Sequence, residues 1–160
     1  MALRVLIPQR GLALIWCLVL CLAFAGCEAH FLSNYDEILD RAVTDTQKKT
    51  DAFLLKMQDT RAPQRRYAVA KPIYDDILND VHSLKSRAQA NNSQNLNDIT
   101  IKQIDLLDDS IRKLQAQHEK TPNGVGVGAV RATQDLVDVQ FETILKLEIA
   151  KKRGVGATKG

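Results

Sequence analysis

The sequence predicts an all-α protein, an antiparallel up-down four-helix bundle set behind a separate apolar leader. Three observations carry that prediction. Four segments repeat apolar residues at helical spacing, punctuated connections separate them, and no segment alternates with the period of a strand.

The first helix is placed at about 34–59. Ser33 or Asn34 is the expected cap, Asp36 and Glu37 suit the positive first turn, and Tyr35, Ile38, Leu39, Ala42, Val43, Thr46, Thr50, Phe53, Leu54 and Met57 share a face. The second, about 64–89, follows Pro63. Its seam Tyr67, Ala70, Tyr74, Ile77, Val81, Leu84, Ala88 alternates steps of three and four, and it crosses Pro72 without a phase break, which favours one long helix kinked there. The polar run Gln89 to Asn97 reads as a loop, with Asn97 or Asp98 capping a third helix over about 98–118. That helix carries Ile101, Ile104, Leu107, Ile111, Leu114 and His118 and stops before Pro122. A glycine-rich turn leads to the fourth, about 130–152, with Val130, Leu136, Val137, Phe141, Ile144, Leu145 and Leu147 as apolar positions. Lys151-Lys152-Arg153 complements the negative helix end, Gly154 is placed to stop it, and residues 154–160 are read as a disordered tail.

Residues 1–26 have the layout of a signal peptide: Arg4 and Arg10, an uncharged run from Gly11 to Ala25, then small residues. The run is short for a membrane span, which needs about 20 apolar residues. Leu22-Ala23-Phe24-Ala25-Gly26-Cys27 resembles the lipobox of bacterial lipoproteins, departing from the commonest pattern at Phe24. The resemblance implies cleavage between Gly26 and Cys27, lipidation of Cys27, and a lipid-anchored protein of the cell envelope. Glu28, not being Asp, leans towards the periplasmic face of the outer membrane. Ala23-Phe24-Ala25 also fits ordinary signal-peptidase cleavage. Cys17 and Cys21 lie inside the apolar run, so Cys27 is the single cysteine of the mature chain and cannot close an internal disulfide. Two or three acyl chains anchor a protein stably where one does not, and residues 27–33 form a lipidated tether spanning at most roughly 25 Å.

The mature part carries 20 basic and 19 acidic side chains, because both leader charges are arginines. That balance argues against nucleic acid as a partner. Residues 35–153 also resemble small helical bacterial envelope proteins of unassigned activity, through Gln47-Lys48-Lys49-Thr50 and Leu147-Glu148-Ile149-Ala150-Lys151-Lys152-Arg153-Gly154; the resemblance implies no mechanism.

Chemistry is sparse. His30, His82 and His118 stand in neither Glu-x-x-His nor His-x-x-x-His spacing, and no haem or hydrolase motif occurs. The glycines at 124, 126 and 128 follow no strand, so they do not make a dinucleotide cradle. Asp76, Asp80, His82 and Asp108 or Asp109 are the residues from which a metal site could be assembled, though helix-surface carboxylates are common. Glu148 falls near an inner face and needs a partner there. No catalytic residue, metal or cofactor is assigned. The expected function is that of a non-enzymatic, membrane-anchored module binding another envelope protein or polymer, with Tyr35, Tyr67 and Tyr74 as contacts if exposed. The alternative is a periplasmic bundle binding a small ligand or metal, with or without enzymatic activity.

Overall fold

Hydrophobic periodicity becomes four helices in the computed structural model, which describes residues 35–92 and 97–157. The leader, the cleavage point and Cys27 lie outside the described residues, as do the last three residues of the expected tail. The helices are α1 (Glu37–Gln58), α2 (Tyr67–Ala90), α3 (Asp98–Lys120) and α4 (Val127–Ala157), with a 3-10 turn at Pro63–Arg65. Each packs against its neighbour in sequence, and α4 closes the ring against α1. Cross-helix bonds fix the antiparallel sense. Lys49 bonds Asp76 across α1–α2, Lys85 bonds Asp105 across α2–α3, and Gln140 donates to Ser110 across α3–α4.

The core is built from the expected seams. Leu39, Val43, Phe53, Leu54 and Met57 of α1 meet Ala70, Tyr74, Ile77, Val81 and Leu84 of α2; Ile104, Leu107, Ile111 and Leu114 of α3 meet Val130, Val137, Phe141 and Ile144 of α4. Thr46 and Thr50 are buried in the same stripe because each hydroxyl donates to the carbonyl one turn back, Ala42 and Thr46 respectively, leaving only its methyl to pack. Phe53 and Tyr74 meet edge to face at 4.8 Å. No helix among the described residues is long and apolar enough to cross a membrane.

Helix boundaries depart from expectation where a side chain or a lost donor decides them. Asp36, not Ser33 or Asn34, caps α1, its carboxylate accepting from the Ile38 and Leu39 amides at 3.0 and 3.2 Å. The second helix begins at Tyr67, because Pro63–Arg65 forms a separate 3-10 turn and the Tyr67 amide donates to the Pro122 carbonyl at 2.9 Å. Pro72 then stands inside α2 near its start, where it removes one internal bond on an exposed face. Gly154 does not stop α4, which continues to Ala157. A terminating glycine needs a left-handed backbone, and among the described glycines only Gly124 has positive φ. Ile38 and Leu136, assigned to apolar stripes, are 61 and 57 % exposed: each sits about a quarter turn or more from the buried centre of its helix.

The end of the bundle away from the chain entry is tied through Arg65. Its guanidinium donates to the Met57 carbonyl at 3.0 Å, closing the end of α1, and its carbonyl accepts from His118 Nε2 at 2.8 Å. Gly124, at φ 143°, lets the following turn lie against this guanidinium: an added Cβ would stand 3.1 Å from Arg65 Nη2. Gly124→Ala is expected to cost about 1–2 kcal/mol in urea unfolding, from backbone strain and displacement of Arg65 together.

Candidate functional site

A groove between α1 and α2 begins where the chain enters the bundle. It comprises a cleft of about 580 Å³ beside Tyr35, Asp36, Glu37, Ala90 and Asn91, and a continuation of about 370 Å³ over Ala42, Asp45, Thr46, Asp80, Ser83 and Leu84. Ile38 and Arg87 line both. The mouth is mainly polar and the continuation has an apolar floor at Ala42 and Leu84, while Ile38, next to buried Leu39 on α1, is exposed and lines both.

The mouth is held by a polar network. Arg87 reaches from the last turn of α2 to Asp36, with Nη2 to Oδ1 at 2.8 Å and Nε to Oδ2 at 2.6 Å, and Asn91 adds a third contact to the same carboxylate. Partial burial alone would raise the Asp36 carboxyl, but Arg87 and the two helix amides hold it below the usual carboxylate range. Tyr35 donates to Asp40 Oδ2 at 2.8 Å while Lys152 Nζ stands 5.2 Å from its ring centroid. The hydrogen bond to Asp40 pushes the Tyr35 hydroxyl up to about 12, so it stays a neutral donor at physiological pH. The charges beside the groove are largely paired, Glu37 with Arg41, Asp80 with Lys49 at 2.6 Å and Asp36 with Arg87, which leaves Asp45 as its one acidic side chain without an ion pair among the described residues. The groove joins a polar mouth, with a fixed aromatic beside it, to an apolar continuation, and it brings no activated nucleophile together with a base.

Of the three tyrosines, Tyr35 lies at the groove and Tyr67 is half-buried at the opposite end. Tyr74 has no exposed surface, so it does not meet the condition set for a contact residue: it belongs to the core, against Phe53 and His118. The residues from which a metal site was conceivable are dispersed. Asp76 and Asp80 face Lys49, Asp108 bonds Arg112, Asp109 bonds Lys113, and His82 is exposed. Among the described residues no three His, Cys, Asp or Glu side chains converge.

Two buried polar clusters lie elsewhere. Beneath the entry end, Lys151 and Glu148 are paired at 2.5 Å, and the Lys151 ammonium also donates to Asn97 Oδ1 at 2.6 Å and Thr100 Oγ1 at 3.3 Å. Burial raises the Glu148 carboxyl despite Lys151. The expected salt bridge for Glu148 is therefore present, but its partner comes from the cluster read as a solvated helix end. Lys151 follows Ile144 and Glu148 at seven and three residues, which puts it on the inner face. At the far end His118, which its spacing puts on the inner face of the third helix, is wholly enclosed and serves as a neutral donor. Sequence reasoning also missed Arg87 and Ile38 as groove residues; each flanks a seam position, the one available signal.

A third feature concerns α1 and α4. Asp51 and Asp138 face each other, and burial together with the Asp138 charge raises the Asp51 carboxyl to about 6. Its folded value lies above the ordinary 3.8, so the folded state holds the extra proton and stability falls as pH rises from about 4 through 6. Asp51→Asn is expected to stabilise the protein at neutral pH by up to about 1 kcal/mol, reduced by solvent screening, and to flatten urea midpoints across that window.

Comparison with protein-family models, with curated proteins and with solved structures finds no match for the chain.

Proposed function

We propose that the protein is a membrane-anchored bacterial lipoprotein whose helical body is a non-catalytic module, binding another cell-envelope component through the α1–α2 groove. The observation that carries the reading is the groove itself: exposed Ile38 beside an apolar floor at Ala42 and Leu84, the immobilised ring of Tyr35 and the carboxylate of Asp45, which has no ion pair among the described residues. A partner segment that fits it presents an apolar anchor beside basic side chains, as an amphipathic helix or extended peptide does. The interior polar groups favour the same reading, since Glu148, Lys151, Asn97 and Thr100 bond one another instead of lining an open cavity. The anchor is the lipid on Cys27, at the periplasmic face of the outer membrane.

The test is crosslinking and co-purification from intact envelopes with wild type, Cys27→Ser and Ile38→Arg. Ile38 is exposed, so its replacement spares the core. A partner enriched with wild type and lost with Ile38→Arg is the expected result. Equal recovery with both, or no enrichment with either, sinks the groove assignment. Intact mass of the membrane-extracted protein tests the anchor separately: the chain should begin at Cys27 and carry acyl groups, and a mass beginning at Gly26 without them refutes lipidation.

A further inference from the structure

The residues that lead into the bundle are ordered as the α1–α2 groove is. Tyr35, Asp36 and Asn91 stand at its polar mouth, and Ile38, Ala42 and Leu84 line the apolar continuation. Asp45 lies farthest along α1, without an ion pair among the described residues. Read back from Tyr35, the sequence runs Asn34-Ser33, then Leu32-Phe31, then His30: polar, apolar, basic. Phe31 and Leu32 are the only large apolar side chains between Cys27 and Tyr35.

The lengths agree as well. An extended chain covers up to about 3.4 Å per residue, so a segment turning back along α1 reaches roughly 17 Å between Tyr35 and His30. On α1, Ile38, Ala42 and Asp45 lie about 3, 9 and 14 Å along the axis from Asp36. The apolar pair therefore reaches the apolar stretch of the groove, and His30 reaches Asp45.

We propose that residues 30–32 of this chain dock in the α1–α2 groove and occupy it until a partner displaces them. Alternate side chains of an extended segment point to opposite sides, and the groove has a helix on each. Leu32 and His30 then face α1 at Ile38 and Asp45, while Phe31 lies against α2 above Leu84. Glu28, two residues beyond His30, comes level with Lys49, one turn after Asp45, and so adds no like charge at Asp45. The segment supplies what the groove asks of a partner, an apolar anchor beside a basic side chain. Weak contacts suffice for it, because docking within one chain is an intramolecular event. The docked segment regulates access to the partner site, and in that respect the proposal rests on the reading of the groove as a partner site.

The histidines allow the test in the unsubstituted chain. Protein extracted from membranes and purified free of partners is treated with diethyl pyrocarbonate at neutral pH, and acylation of His30 is followed by mass spectrometry against exposed His82. His30 is expected to react several-fold more slowly than His82, and to approach the His82 rate in Ile38→Arg and in Asp45→Asn, both exposed positions whose replacement spares the core. Equal rates in wild type overturn the proposal. So does protection that persists in Ile38→Arg, which assigns it to the detergent micelle, and so does protection that grows with protein concentration, which assigns the groove to a second copy. Co-purification from envelopes reads the regulation: Phe31→Ser/Leu32→Ser should recover several-fold more partner than wild type, and equal recovery overturns it. The two readings of the groove fail separately. Slow His30 labelling relieved by Ile38→Arg, with no partner enriched from envelopes, keeps the docked segment and sinks the partner; fast His30 labelling with a partner lost in Ile38→Arg does the reverse.

Discussion

Lys151→Ala should be among the most destabilising single substitutions in the bundle, lowering unfolding free energy by about 3–5 kcal/mol. Glu148 and Lys151 are 0 and 2 % exposed, so neither can turn to water when the other is removed. The ammonium spends its donors on Glu148, Asn97 and Thr100, from the end of α4 to the start of α3. Removing it leaves a buried carboxylate already raised by burial, now without its counter-charge, one of whose oxygens has no other partner even in the intact protein. For a domain of this size the loss corresponds to roughly 10–20 °C in melting temperature.

The sign of the pH dependence separates an ion pair from simple loss of packing. A carboxyl raised in the folded state favours folding while protonated, so the Lys151→Ala deficit should shrink as pH falls towards the ordinary glutamate value of 4.5. A deficit that does not change with pH would assign the effect to the lost alkyl chain. The double variant Glu148→Gln/Lys151→Met removes both charges while keeping similar volume, and is expected to recover most of the stability. Urea midpoints of wild type and of the two variants, measured from pH 4.5 to 8 with unchanged m-values, check both expectations.

That pair marks the boundary of what the sequence alone makes legible. Periodicity located all four helices and most of the core, because burying an aliphatic stripe is the dominant requirement and the seams at Tyr67–Ala88 and Ile104–Leu114 have few interruptions. It placed Glu148 inward for the same reason. Lys151 is hidden by its neighbours: in Lys151-Lys152-Arg153 a helix-end explanation covers all three residues, whereas phase distinguishes the first, and a helix ended at Gly154 leaves phase little weight there. The groove was less legible still. It depends on how α1 and α2 lie against each other and on Arg87 reaching back 51 residues to Asp36, a tertiary contact that leaves no local pattern. Boundaries failed where competing acceptors decide, as at Asp36 against Ser33 and Asn34.

His118 gives the second large effect, and its pH dependence has the opposite sign to that of Glu148 and Asp51. The imidazole is fully enclosed, edge-on to Tyr67 at 5.4 Å and Tyr74 at 5.9 Å, and its Nε2–H donates to the Arg65 carbonyl. An acceptor there fixes the tautomer: Nε2 carries the proton, and Nδ1, enclosed without a partner, keeps its lone pair. His118→Ala removes the ring contacts and leaves the Arg65 carbonyl without its donor, so about 3 kcal/mol is expected to be lost. Burial lowers the His118 pKa from its ordinary 6.5, which means the unfolded chain takes up this proton first. Stability contributed by the neutral ring is complete above about 6.5 and lost as pH falls through the depressed folded value. His118→Phe keeps most of the packing but cannot charge. It should therefore be less stable than wild type at pH 8, where the lost hydrogen bond dominates, and close the gap as pH drops below 6. Parallel stability curves for wild type and His118→Phe over that range would show that the proton at His118 contributes nothing to acid unfolding.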